Sequence, residues 1–213
     1  MSRAIIVANG VISDYPFFQS YKKPDDFILC ADGGFRHLCA WGWKPDVFLG
    51  DFDSINESVV LSHPLMQGVK VIPFQQMKNE TDTHNAVLYA LSHGYQDILM
   101  LGCTGTRLDH TLSNLHLLKL IRLQGGNGII LTEHNQVQVT DSRLEIHQQS
   151  GYCLSLIPMS EQVTGLTTQG LLYPLHNFTL LQEVSRGISN EFIQPDALIT
   201  IKSGWLMVIQ SRD

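Results

Sequence analysis

The chain has 213 residues, 44% of them apolar, and a formal net charge of −6 from 14 Lys and Arg against 20 Asp and Glu. That composition supplies a core for one large domain or two small ones, makes an ordered chain the default, and argues against a dedicated nucleic-acid surface. The apolar run at the start is too short for a signal peptide and no stretch reaches the roughly 18 apolar residues of a membrane span, so the expectation is a cytoplasmic protein with no membrane partner.

Short β-branched and apolar runs at residues 4–8, 27–31, 47–50, 69–72, 98–101 and 129–131 alternate with helical patterns. That alternation predicts parallel strands linked by helices. A helix over 83–93 carries Ala86, Val87, Ala90 and Leu91 on one face and stops at Gly94; another over 111–123 carries Leu112, Leu115, Leu118 and Ile121 and stops at Gly125-Gly126. Past residue 136 the helical period gives way to strand alternation at 137–139, 144–146 and 199–201, with Lys202-Ser203-Gly204 read as a hairpin turn before 205–209. Two domains follow: an α/β domain over residues 1–132 and an all-β domain over 137–213, joined by the polar Glu133-His134-Asn135-Gln136. Cys30, Cys39, Cys103 and Cys153 form no CxxC pair and the nine histidines no HxxxH or HExxH spacing, so the cysteines read as small buried residues.

In an open parallel sheet the loops at the carboxyl ends of the strands share one edge, where ligands bind. Asp32 in ADGG, Asp51 and Asp53 in GDFDS, Asp82 in NETDTH and Asp109 in GCTGTRLDH all fall at that edge, the last two ahead of helices. Each has a local explanation: Ser54-Ile55-Asn56-Glu57 fits a capping box, and Thr81 or Asp82, and Asp109, fit helix caps. Together they ask for more. Two carboxylates about 4 Å apart repel by roughly 4 kcal/mol at an effective dielectric near 20, so such a cluster protonates or holds a cation. Oxygen ligands without Cys or His select Mg²⁺, which commonly shares its shell with substrate phosphates.

The turn Gly102-Cys103-Thr104-Gly105-Thr106-Arg107 offers backbone N–H groups and a forked cation to an anion. Asn9-Gly10 and Gly33-Gly34 read either as tight turns or as places of close backbone approach. Neither GxxxxGK[ST] nor GxGxxG occurs, which excludes ordinary P-loop chemistry and counts against NAD.

ADGG, GDFDS, TDT before an apolar helix, and GCTGTRLDHTLSN appear in an order that resembles the thiamine pyrophosphokinase (thiamin diphosphokinase) family, and LLYPL and ISNEF extend the likeness into the second half. The resemblance implies a Rossmann-like three-layer parallel-sheet domain followed by a smaller all-β sandwich domain. It implies Mg²⁺-dependent transfer of the pyrophosphoryl group of ATP to the hydroxyl of thiamine, giving thiamine diphosphate and AMP, and a homodimer with thiamine bound where subunits meet. It places the metal on Asp51, Asp53 and Asp82, and catalysis on these with Arg107 and Asp109. ATP falls to Asn9, Asp32, Gly33, Gly34, Thr104, Gly105, Thr106, Arg107 and His110, and thiamine to Tyr173, Ser189 and Asn190. One departure stands out: many members read Lys-Asp-x-Thr-Asp where this chain has Lys78-Asn79-Glu80-Thr81-Asp82. The same carboxylates also suit a metal-dependent phosphohydrolase, a kinase acting on another small alcohol, or a non-catalytic sensor of a nucleotide or thiamine diphosphate, and product identity separates these readings.

Overall fold

The computed structural model describes residues 3–52, 56–73 and 80–213. Asp53, Ser54, Ile55 and Asn79 lie outside the described residues. The fold is mixed α/β, with a large sheet containing parallel strands and a second, antiparallel sheet, and the chain divides into two compact units, Met1–Glu133 and His134–Asp213.

In the first unit the described strands are β1 (Ala4–Val7), β2 (Phe27–Ala31), β3 (Val47–Gly50), β4 (Lys70–Pro73), β5 (Asp97–Leu101) and β6 (Asn127–Leu131). They lie in the order β4-β3-β2-β1-β5-β6, all neighbours parallel. The order grows leftward from β1 through β4 and then restarts on the other side with β5, so the direction of winding switches between β1 and β5. Ala4, Ile5, Ile6 and Val7 are all fully buried, as a strand covered on both faces requires.

Helices α1 (Tyr15–Gln19), α2 (Phe35–Trp41), α3 (Glu57–Leu61), α4 (Asp82–Ser92) and α5 (Leu108–Leu123) connect these strands. Phe18, Phe35, Leu38 and Trp41 pack with Ile5, Val7, Ile28, Cys30 and Phe48 into one cluster. Each large side chain so buried contributes roughly 1.5–3 kcal/mol. Helix α5 begins a turn earlier than the sequence periodicity predicts, which makes Asp109 its second residue and not its cap. Asn56 caps α3, its side-chain oxygen accepting from the amides of Ser58 at 3.0 Å and Val59 at 3.4 Å, while Ser54 of the expected capping box lies outside the described residues.

In the second unit β7 (Asn135–Thr140), β8 (Arg143–His147), β9 (Cys153–Pro158), β10 (Gln162–Gln169), β11 (Phe178–Leu181), β12 (Asp196–Thr200) and β13 (Leu206–Ser211) pair antiparallel. Strand β13 lies between β7 and β9, while β11-β10-β12-β8 form the other set. One cluster joins side chains of both sets, with Leu154, Leu156, Leu206 and Val208 meeting Ile146, Val163, Leu180 and Ile199. The hairpin expected at Lys202-Ser203-Gly204 is not one. The segment pairs with Thr164 of β10, through Lys202 N to Thr164 O at 2.9 Å and Thr164 N to Ser203 O at 3.0 Å, and carries the chain from β12 in one set to β13 in the other. Asn135 and Gln136 of the polar segment are the first residues of β7.

Glu133 is buried, and its Oε1 accepts from the amides of Ser13 at 2.6 Å and Asp14 at 3.0 Å and from the Ser13 hydroxyl at 3.1 Å. Burial works to raise its pKa, but the Asp14 and Ser13 donors outweigh it and hold the carboxyl below its ordinary value. A depressed folded pKa stabilises above the unfolded value, about 4.3, and that contribution is lost as pH falls through the folded value. Glu133→Gln should therefore cost about 1–3 kcal/mol at pH 7, with the gap to wild type narrowing below about pH 4. Urea denaturation at pH 7 and pH 3 measures it; a gap equal at both pH values contradicts the assignment.

Candidate phosphate-transfer site

The loops after β1 and β5 are fastened to each other at the switch point. Gly10 N donates to Gly102 O at 2.6 Å, Val11 N to Thr104 O at 2.8 Å and Ala8 N to Leu101 O at 2.9 Å. The fit demands glycine: a Cβ on Gly10 would stand 2.2 Å from the Thr104 carbonyl oxygen, and one on Gly102, whose φ is +63°, would stand 2.4 Å from that of Ala8. Above this seam opens a cavity of about 670 Å³. Asp32, Asp51, Asp82 and Glu80 line it with Arg36, Arg107, Asn9, His110 and the turn Gly102–Arg107.

Each carboxylate is positioned by a local device. Asp32 follows β2 at φ +41°, a left-handed backbone, and is buried; no hydrogen-bond donor among the described residues reaches its Oδ1. The Gly50 that ends β3 allows close approach, since a Cβ there would fall 3.0 Å from Asp32 Oδ1. In GDFDS, Phe52 takes φ +62° and stacks its ring on Phe48 at 4.9 Å. The aromatic between the aspartates is thus a core anchor for a strained turn, of the kind that gathers at functional sites. At α4, Thr81 caps the helix by accepting from His84 N at 3.2 Å, which leaves Asp82 in the first turn to line the cavity.

The turn after β5 is tied to α5. Asn114, buried, donates to Cys103 O at 2.8 Å, and Gly105 N donates to the Thr111 hydroxyl at 3.2 Å. The amides of Thr104 and Thr106 have no acceptor among the described residues. Arg107 forks onto Asp109, Nη2 to Oδ2 at 2.5 Å and Nε to Oδ1 at 3.2 Å, with both side chains exposed. That hydrogen bond pulls the Asp109 carboxyl down to about 2, so the pair stays ionised at any ordinary working pH.

Several expected residues stand elsewhere. Asp109 does not line the cavity and meets it through Arg107. Gly33 and Gly34 are buried behind it: a Cβ on Gly33 would lie 2.3 Å from the Asn9 amide nitrogen and one on Gly34 2.1 Å from the Val7 carbonyl oxygen, so their bareness serves packing against β1. In the second unit Tyr173 is 66% exposed, and Ser189 is exposed at φ +55°. Asn190 is buried, its Oδ1 accepting from Tyr173 N at 3.0 Å and Glu191 N at 2.9 Å and its Nδ2 donating to Tyr173 O at 2.8 Å. Most of its amide capacity therefore holds the backbone that presents Tyr173.

Sequence inspection passed over Arg36 and gave no role to Glu80 or to Asn114, which closes the GCTGTRLDHTLSN stretch, although Arg36 stands four residues past Asp32 and is carried to the same sheet edge. It also passed over His37, fully enclosed behind the cavity. Nε2 of His37 lies 2.9 Å from the Gly10 carbonyl, which only accepts, so Nε2 carries the proton and Nδ1 accepts from the Tyr15 hydroxyl at 2.9 Å. Burial pushes the His37 pKa down and keeps the ring neutral.

Among the described residues no three His, Cys, Asp or Glu side chains are disposed around one metal position. The donors that line the cavity are nonetheless carboxylates, one with a buried oxygen lacking any partner. Such a hard, anionic set fits a magnesium-type cation.

A cavity at the strand-order switch, with oxygen donors on one side and a two-glycine turn on the other, defines an α/β protein that handles nucleotide phosphates. Comparison with known proteins narrows the class. The family model for the thiamin pyrophosphokinase catalytic domain matches residues 18–129, and that for the thiamin pyrophosphokinase vitamin B1 binding domain matches 141–206. A thiamine pyrophosphokinase of Bacillus subtilis (strain 168) is 29% identical over 98% of each chain, and thiamine pyrophosphokinase 1 of Arabidopsis thaliana is 32% identical over 82% of this chain and 73% of its own. The crystal structure of thiamine pyrophosphokinase from Bacillus subtilis superposes with a TM-score of 0.91 at 27% identity, covering 100% of both chains. The chain belongs to the thiamin pyrophosphokinase family.

The Asp32 Oδ1, buried without a donor among the described residues, yields a test. Asp32→Asn replaces a buried carboxyl by a neutral amide of the same size and keeps a residue that tolerates the left-handed backbone, so its melting temperature should equal or exceed that of the wild type, by up to about 1 kcal/mol in stability. A thermal melt that drops by several degrees would show that the carboxylate is structural.

Proposed function

We propose that the protein transfers the β,γ-diphosphoryl group of ATP to the hydroxyl of thiamine, giving thiamine diphosphate and AMP. The observation that carries this reading is the cavity at the β1–β5 switch, where carboxylates face an anion-binding turn. Residues 1–132 act as a Rossmann-like, three-layer nucleotide and metal domain, and residues 137–213 as a β-sandwich that takes up thiamine.

The thiamine hydroxyl oxygen attacks the β-phosphorus in line; the bond from that phosphorus to the α,β-bridging oxygen breaks, AMP leaves with the electron pair, and the hydroxyl proton passes to solvent or a neighbouring carboxylate. Transfer of this kind depends on positioning and on neutralising charge. The turn Gly102–Arg107 offers amides to the phosphates, and Asp109 holds the Arg107 fork in one orientation. Asn114 and Thr111 keep that turn from shifting. Mg²⁺, held by Asp51, Asp53 and Asp82, would neutralise phosphate charge that the acidic wall would otherwise repel. Tyr173 offers a flat aromatic face suited to a cationic thiazolium or an aminopyrimidine, with Ser189 beside the Asn190 clamp as a hydrogen-bonding group for the ring. We place thiamine where two subunits of a cytoplasmic homodimer meet, so that the exposed Tyr173 is covered in the working assembly.

The test is product analysis of purified protein with ATP, Mg²⁺ and thiamine. Thiamine-dependent AMP with matching thiamine diphosphate is expected; ADP would indicate an ordinary kinase and free phosphate a hydrolase. Asp51→Asn and Asp82→Asn should each lower AMP formation by about 100-fold or more while circular dichroism stays unchanged. Wild-type turnover in both variants at limiting Mg²⁺ would remove the carboxylates from the mechanism.

A further inference from the structure

Arg36 is the second residue of α2 and is exposed on the cavity wall. An exposed arginine on a helix is ordinarily a solvated charge. Its surroundings are more specific. Nη2 donates to the carbonyl oxygens of Asn9 at 2.9 Å and Gly10 at 2.8 Å, which commits both of its protons to the loop that floors the switch-point crevice. Nε lies 3.4 Å from His37 Nε2, but that nitrogen carries its own proton toward Gly10 and cannot accept a second. Nη1 has no acceptor among the described residues, and no carboxylate among them pairs with Arg36. Arg107, the other guanidinium on this wall, is forked onto Asp109.

The geometry points to Arg36 as a nucleotide-binding residue that contacts the phosphates from the β1 side of the crevice, while Arg107 meets them from the β5 side. This rests on the nucleotide reading above. A guanidinium pinned by two backbone carbonyls is ordered before ligand arrives, so little conformational freedom is lost on binding. Its free N–H groups would make charge-assisted hydrogen bonds to phosphate oxygens, which are among the stronger ones proteins form. The pinning does not change as the reaction proceeds, so Arg36 serves ground-state and transition-state binding alike. Its loss should then appear in KM for ATP with kcat nearly unchanged.

The experiment is calorimetric titration of wild type, Arg36→Gln and Arg36→Lys with ADP in excess Mg²⁺ and, separately, with adenosine. Arg36→Gln is expected to bind ADP on the order of 10- to 100-fold more weakly and adenosine as the wild type does, with Arg36→Lys between; KM for ATP should rise by the same factor and KM for thiamine hold. If Arg36→Gln melts well below wild type, Arg36→Lys carries the same comparison. Unchanged ADP affinity overturns the assignment. An equal loss for adenosine and ADP also overturns it, because Arg36 would then only brace the β1 loop. A wild-type protein that binds no ADP removes the nucleotide reading itself, and this inference with it.

Discussion

The hydrogen-bonded seam between the loops after β1 and β5 governs the rest of the site. Strand order reverses there, so the connections on either side diverge and leave a crevice, and the two glycine backbones close its floor at 2.6 Å. With side chains at Gly10 or Gly102 the loops would stand apart, and neither the Gly102–Arg107 turn nor the Arg36 anchor at Asn9 and Gly10 would keep its place. The parallel sheet supplies this edge because each of its strands ends toward the same side. Its heavy burial, with β1 fully enclosed, makes the edge rigid.

Charge imposes the second constraint. The cavity wall carries Asp32, Asp51, Glu80 and Asp82 against Arg36 and Arg107, and Arg107 is largely balanced by Asp109 outside the wall. Asp32 has a buried oxygen without a donor, and Asp32 and Phe52 hold left-handed backbones that ordinary residues avoid. Local costs of this kind gather at functional sites.

Much of the first unit was legible because β1, β2, β3 and β5 are buried almost throughout and read as continuous apolar runs, and because Gly94 and Gly125 mark helix ends plainly. The convergence of Asp32 and Asp51 followed from the same pattern, since a residue just past a parallel strand has one edge to go to, and Asp82 joins them because the helix that returns from that edge starts there. Helix starts were less legible. At α4 the sequence left Thr81 and Asp82 as alternative caps, and Thr81 is the one; at α5 Asp109 read as a cap, whereas the N-cap is Arg107, which makes no side-chain cap bond. Gly33 and Gly34 looked available for a ligand because sequence does not reveal that Asn9 and Val7 already press against them. In the second unit β10 escaped notice: a register shift between Val163 and Leu166 breaks the alternation that identifies a strand. The chain from β12 to β13 looked like a hairpin because a turn between strands reads the same whether it joins neighbours or crosses between sheets. Arg36 was invisible for a different reason, since only contact with the Asn9 and Gly10 carbonyls distinguishes it from any surface arginine.

The account stands on the claim that the β1–β5 crevice holds the triphosphate. A crystal structure with Mg²⁺, thiamine and α,β-methylene-ATP, in which the bond to be broken is replaced by an inert one, tests this most directly. The expected result is phosphate density over the Gly102–Arg107 turn, within reach of Asp51, Asp82 and Arg36. Well-ordered nucleotide bound elsewhere, with that crevice filled only by solvent, would contradict it.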